Sequence, residues 1–92
     1  MLSFEWNPVK ARSNKEKHGV TFDEASTAFT DQLSITIDDP LHSDNEERYT
    51  LIGVSHKYRI LIVVHTERGD NIRIISARKA TKNERSFYES NA

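Results

Sequence analysis

From Ile60 to Val64 the segment "RILIVVHTE" is apolar at successive positions, a pattern that suits a strand buried on both faces and makes it the expected centre of a sheet. Around it the period changes from stretch to stretch. Leu33, Ile35 and Ile37 alternate with Ser34, Thr36 and Asp38, as in a strand with one wet face. "RYTLIGVS" has mixed apolar faces and predicts a more buried strand, and "NIRIISA" predicts the last one. "RGDN" between these last two runs is a turn, with Gly69 and Asp70 supplying the permissive backbone. The opening "FEW" is short and alternating, which fits an edge strand.

Helix signals flank this run of strands. In "NPVKARSNKEKHG", Asn7 can cap, Pro8 suits the first turn and Gly19 can close the helix. In "VTFDEASTAF", Thr21 and Glu24 have capping-box spacing, Val20 and Ala25 can form the hydrophobic staple, and Phe22, Ala25 and Phe29 share one face. "TKNE" repeats the threonine-to-glutamate spacing and starts a last helix through Tyr88, leaving "ESNA" to fray. The predicted order is strand, helix, helix, four strands, helix. Tight connections between the late strands favour a four-stranded antiparallel meander in an α+β domain.

Length and composition narrow this picture. The 92 residues, 36% of them hydrophobic, suit one domain over 1–92 with a modest core. With no cysteine, neither disulfides nor thiolate metal ligands hold the chain together, and packing must do so. The N-terminus lacks the regions of a signal peptide, and no stretch approaches the roughly 20 apolar residues of a membrane span, so a soluble intracellular protein is expected.

The net charge of −1 conceals a segregation along the chain. Between His18 and Glu47 there are eight acidic residues and no lysine or arginine, whereas from Arg48 to Ala92 nine cations face four acids. Such asymmetry can give one molecule a basic face for nucleic acid and an acidic face for another partner. The three glycines are too scattered for a phosphate loop and the four histidines lack metal-ligand spacing. "DDPLHSDNEE" lacks the ligand order of a calcium loop and reads as a solvated loop. No cofactor is expected.

Acid–base groups beside arginines remain: Lys17 and His18 at a helix end, Glu47 and Arg48 entering a strand, then Arg59, His65, Arg73 and Arg78. RNA can be cleaved without a cofactor when a base removes the 2′-hydroxyl proton, an acid protonates the leaving oxygen, and cations stabilise charge on phosphorus. Each group also has a plainer reading. Lys17 and His18 can complement a helix C-terminus, Glu47 and Arg48 can be surface charge, and His65 can be a satisfied half-buried histidine.

"FEWNP", "KHGVTFDEA", "EERYTLIG", "HTERGDNIRIISARKAT" and "ER" stand in an order and spacing that resemble BrnT-type toxins of bacterial type II toxin–antitoxin systems. The resemblance covers most of the chain. It implies a fold like that of RelE-type ribonucleases, metal-independent RNA cleavage in the cytoplasm, and neutralisation by a BrnA-type antitoxin. It further implies that operator DNA is bound only by the toxin–antitoxin complex, through the antitoxin's ribbon-helix-helix part. Within it Lys17, His18, Glu47, Arg59 and Arg78 are the catalytic candidates, with His18 or Glu47 as base. Arg48, His65, Arg73, Lys79, Lys82 and Arg85 are the RNA-binding candidates. Two positions depart from the pattern: Asn7 stands where Asp is expected, and Tyr58 where the turn often has Gly. A non-catalytic RNA- or protein-binding module, or a degenerate toxin serving as its antitoxin's co-repressor, are the alternatives.

Strict alternation sets one difficulty. Arg73 and Arg78 are five apart and would face opposite sides of a flat strand. The expected resolution is that the chain leaves the strand near Ala77, so that Arg78 swings freely.

Overall fold

A computed structural model of the protein describes residues 2–39 and 47–91. Strand β1 (Ser3–Glu5) leads into helix α1 (Pro8–His18), whose ends are fixed as the sequence predicts. The Asn7 side chain accepts hydrogen bonds from the amides of Val9 and Lys10 at 2.8 and 3.2 Å, and Pro8 fills the first turn, where no amide donor is required. Gly19 closes the helix in the left-handed region (φ 68°), its amide donating to the Lys15 carbonyl.

Helix α2 (Phe22–Thr27) is shorter than expected and tightens into a 3-10 turn, Ala28–Thr30. Thr21 caps it by accepting from the Glu24 amide, but the Glu24 side chain does not return to complete the box. Its carboxylate is bound to Ser55 and Arg59 instead. The full capping box belongs to α3 (Lys82–Ser90), where Thr81 and Glu84 satisfy each other's backbone amides.

Strands β2 (Ile35–Asp38), β3 (Arg48–Val54), β4 (Ile60–Arg68) and β5 (Asn71–Lys79) form the antiparallel meander. β1 adds to the free side of β5 in parallel, giving a five-stranded mixed sheet in the order β1-β5-β4-β3-β2. β4 is central, as its apolar run requires. Leu33 falls outside β2 because Asp31 draws the preceding residues into a turn, accepting from the Leu33 amide on its side chain and from the Ser34 amide on its carbonyl. The segment 40–46, which holds most of the acidic "DDPLHSDNEE" stretch, lies outside the described residues.

The two sheet faces are covered unequally. On one, Leu51, Leu61, Val63, Ile72, Ile74 and Ala77 pack beneath Val20, Phe22, Ala25 and Ala28, with Phe4, Trp6, Ala11 and Phe29 at the margin. On the other, Ile52 and Ile62 meet Tyr88 of α3, flanked by Ile35, Val54, Ile60 and Ala80. Only one residue of α1 is buried, and it is polar: Asn14. Its amide nitrogen donates to the carbonyls of Val20 (2.9 Å) and Ala77 (2.8 Å), and its oxygen accepts from the Ala77 amide (3.0 Å). β1 pairs with β5 only as far as Arg73, so among the described residues no strand neighbours the outer edge of β5 at Ala77. Asn14 stands in for that strand by satisfying both edge groups.

Candidate active site

The structure resolves the Arg73–Arg78 difficulty differently from the sequence expectation. β5 does not end at Ala77; it runs on to Lys79. A register shift at Val64/His65 inserts one extra residue into β5, since Val64 pairs with Ser76 and His65 with Ile74. That bulge resets the alternation. Arg73 pairs with Thr66, itself opposite Arg48, and Arg78 pairs with Ile62, itself opposite Ile52. All three arginines therefore lie on the face that α3 partly covers, Arg48 and Arg73 about 13 Å along β4 from Arg78.

Arg78 does not swing freely. Its guanidinium forms a two-pronged bond with Glu84, at 2.7 and 2.8 Å, from β5 to the first turn of α3. The guanidinium beside Glu84 holds that carboxyl down at about 2, helped by the Thr81 amide and opposed by burial. Arg73 is likewise engaged, donating to Glu5 of β1 at 3.0 Å. Lys82 and Arg85 are exposed on α3.

A second group of candidates gathers at one end of the sheet. Lys17 and His18 are exposed at the C-terminus of α1. Arg59, just after the β3–β4 turn, donates to the Gly19 carbonyl at 3.1 Å and so ties that turn to the residue following His18. Lys79 pairs with Leu61, two residues beyond Arg59, on the sheet face that carries α1. Arg59 itself is committed to the interior. Its Nε donates to Glu24 at 2.8 Å and Nη2 bonds the other carboxylate oxygen. Glu24 is 1% exposed and also accepts from Ser55 Oγ at 2.7 Å. The bond from Arg59, partly offset by burial, lowers the Glu24 carboxyl below its ordinary value. Sequence reading did not pair Arg59 with Glu24, because 35 residues separate them and Glu24 sat at a capping position.

Glu47 lies elsewhere. It precedes β3, whose seven residues span about 23 Å, while the Arg59 turn follows the other end. Glu47 accepts from the Tyr49 hydroxyl at 2.8 Å, and this bond together with the charges of Glu47, Glu67 and Asp38 raises the tyrosine above its usual value. Glu47, Tyr49, Thr66, Glu67 and Arg68 line a shallow depression of about 450 Å³.

His65 is not available to stack on a nucleobase. It has 0% exposure, with the Phe29 ring edge-on at 4.8 Å and Tyr49 stacked on it at 5.9 Å. Its Nε2 is 3.2 Å from Glu67. The structure thus brings Lys17, His18, Arg59 and Lys79 to one end, places Arg48, Arg73 and Arg78 on the α3 face, and leaves Glu47 at the far end. Among the described residues no three metal-ligating side chains converge, and no described helix is long and apolar enough to cross a membrane.

An α+β domain with a five-stranded sheet and cationic groups on one face and at one end is the class these features define. A family described as "Ribonuclease toxin, BrnT, of type II toxin-antitoxin system" matches residues 6–84, and the chain belongs to that family. Its fold is similar to the crystal structure of the Brucella abortus ribonuclease toxin BrnT, with 22% sequence identity and a TM-score of 0.64 over 89% of this chain and 100% of that one. No curated protein sequence matches it.

Proposed function

We propose that the protein is a growth-inhibiting endoribonuclease that cleaves RNA by acid–base chemistry without a metal cofactor, His18 acting as base. The observation that carries the assignment is the placement of exposed His18 beside Lys17, at the sheet end that also presents Lys79. His18 takes the proton of a ribose 2′-hydroxyl, whose oxygen forms a bond to the adjacent phosphorus. The bond from phosphorus to the 5′ oxygen breaks, and that oxygen is protonated as it leaves. Lys17 stabilises the phosphorane charge. Glu47 is less well placed, because it stands at the opposite end of β3 from Lys17 and His18 and accepts from the Tyr49 hydroxyl. Arg48, Arg73 and Arg78 guide the strand across the α3 face, while Arg59 acts by holding the end together.

Type II family membership implies an antitoxin. A BrnA-type ribbon-helix-helix protein is the proposed one, and operator DNA is bound only by the complex. Purified protein should cleave RNA in the presence of EDTA, and His18→Ala should lower the rate by about 10²–10⁴ without lowering Tm. Loss of cleavage in EDTA would refute metal independence, and an unchanged His18→Ala rate would refute the base. The internal engagement of Arg59 and Arg78 by carboxylates favours one other reading, a non-catalytic RNA-binding module. Intact RNA, bound with a steep salt dependence, would establish it.

A further inference from the structure

The turn joining β3 to β4 closes with the Ser55 amide donating to the Arg59 carbonyl and the Tyr58 amide to the Ser55 carbonyl, both at 2.9 Å. In this three-residue loop the position before the second strand adopts the left-handed conformation, for which glycine is the favoured residue. Tyr58 occupies it with φ 62°, among the described residues the only non-glycine with positive φ, and its side chain packs on almost nothing: it is 90% exposed. The fold gains neither backbone comfort nor buried area from an aromatic ring there.

The turn is nevertheless rigidly held. Ser55 Oγ accepts from the Lys57 amide at 3.2 Å and donates to Glu24, the His56 amide donates to Thr27 Oγ1 at 2.9 Å, and the Val54 amide donates to Asp31 at 2.9 Å. Arg59 adds its bonds to Glu24 and Gly19. A strained backbone persists where its surroundings over-determine it, and such positions are often functional. The ring also has cationic company: Lys57 in the turn, Lys17 on the helix tied to it through Gly19, and Lys79 opposite Leu61. Glu24, the carboxylate bound by Ser55 and Arg59, is buried and paired.

We propose that Tyr58 is a base-stacking platform that seats one nucleotide of single-stranded RNA beside His18. An exposed, preorganised ring among cations is the construction by which single strands are held without sequence readout, the ring taking the base and the cations the phosphates. The inference rests on the RNA-cleaving reading above and adds to it a substrate contact, with single-stranded rather than duplex RNA as the ligand.

The test uses the full chain and a fluorescent 2′-deoxy single-stranded oligonucleotide, which lacks the attacking hydroxyl and stays intact, followed by anisotropy across a salt series. Tyr58→Gly should weaken binding about 5- to 150-fold, the range expected for one stacked base. Its Tm should equal or exceed that of wild type, since the backbone strain is removed. The slope of log affinity against log salt should not change, because no phosphate contact is lost, whereas Lys57→Ala should make it shallower. Tyr58→Phe should bind as wild type does. Wild-type affinity in Tyr58→Gly, or a lowered Tm, overturns the proposal. If Tyr58→Gly binds the oligonucleotide normally and fails only to bind antitoxin, the ring is a protein contact and the proposal is wrong. If the wild-type chain neither binds the oligonucleotide nor cleaves RNA, the RNA reading itself falls, and this inference with it.

Discussion

Replacing Arg59 by alanine should cost the fold about 3 kcal/mol, and the reason lies in Glu24. That carboxylate is 1% exposed and is held by Arg59 and Ser55. Without the guanidinium, a buried charge keeps one hydroxyl donor. Breaking a buried ion pair from one side costs about 3–5 kcal/mol, and the low end applies because the Arg59 side chain is 29% exposed, so water can enter where it stood. Against a total of roughly 5–14 kcal/mol for a chain of this length the loss is large, and it should lower the urea midpoint by roughly 2 M. The double variant Arg59→Ala, Glu24→Gln should recover about half of it, because the amide carries no charge to strand. The pH dependence has a definite sign. The native pKa of Glu24 lies below its ordinary value, chiefly through its bond to Arg59, so the wild-type contribution is present above the unfolded carboxylate pKa of about 4.3 and is lost as pH falls through the native one. In the variant the lowering by Arg59 is lost and burial is opposed only by the Ser55 hydroxyl and the Lys57 charge, so the carboxyl protonates at a higher pH than in wild type and protonation relieves the penalty. The gap between the two proteins should therefore close as pH drops below about 4. A penalty under about 0.5 kcal/mol, or a gap indifferent to pH, would show that the pair does not hold the turn. Lost cleavage without lost stability would make Arg59 a substrate contact.

Two further changes probe the remaining ties. Glu84→Gln preserves the capping box, since glutamine serves at that position, but releases Arg78; stability should fall by less than about 1 kcal/mol, because both partners are partly exposed, and the oligonucleotide should bind more tightly. The wild-type contribution of this carboxyl, held at about 2, should persist at neutral pH and disappear only as pH falls from about 4 towards 2. Weaker binding in Glu84→Gln would refute the idea that Glu84 competes with phosphate for Arg78. Asn14→Ala strips three buried hydrogen bonds from Val20 and Ala77 and should cost about 2–4 kcal/mol by urea denaturation, while a near-neutral result would mean that water replaces the amide.

Much of the fold was legible because each element announces itself locally. Asn7, Pro8 and Gly19 delimit α1, Thr81 and Glu84 start α3, and the unbroken apolar run of β4 fixes the sheet centre. What escaped the sequence depends on pairing over distance. β1 joining β5 in parallel, Glu24 turning from its own cap to Arg59, and His65 sinking between Phe29 and Tyr49 have no signature in their own neighbourhoods. The candidate residues were legible as types, but their grouping was not. Glu47 and Arg59 each look like active-site residues in sequence, yet one stands at the opposite end of β3 from His18 and the other is drawn inward by a carboxylate.

The bulge in β5 shows how such a long-range choice is made. Ile72 and Ile74 set the core phase, and strict alternation from them would put Ser76 opposite buried Val63 and turn Ala77 outward, while Arg78 would take the exposed place opposite Leu61 that Lys79 holds. Burying the Ser76 hydroxyl without a partner costs more than one disrupted ladder bond, so a slip of one residue is favoured between Ile74 and Ala77. The slip falls at Ile75, which lets Ala77 enter the core under α1. A small side chain there admits the helix closely enough for Asn14 to reach both edge groups of Ala77. The polar contact that holds α1 to the sheet and the orientation that puts Arg78 on the α3 face thus follow from the same one-residue shift, and α1 in turn carries Lys17 and His18 to the end where Tyr58 projects.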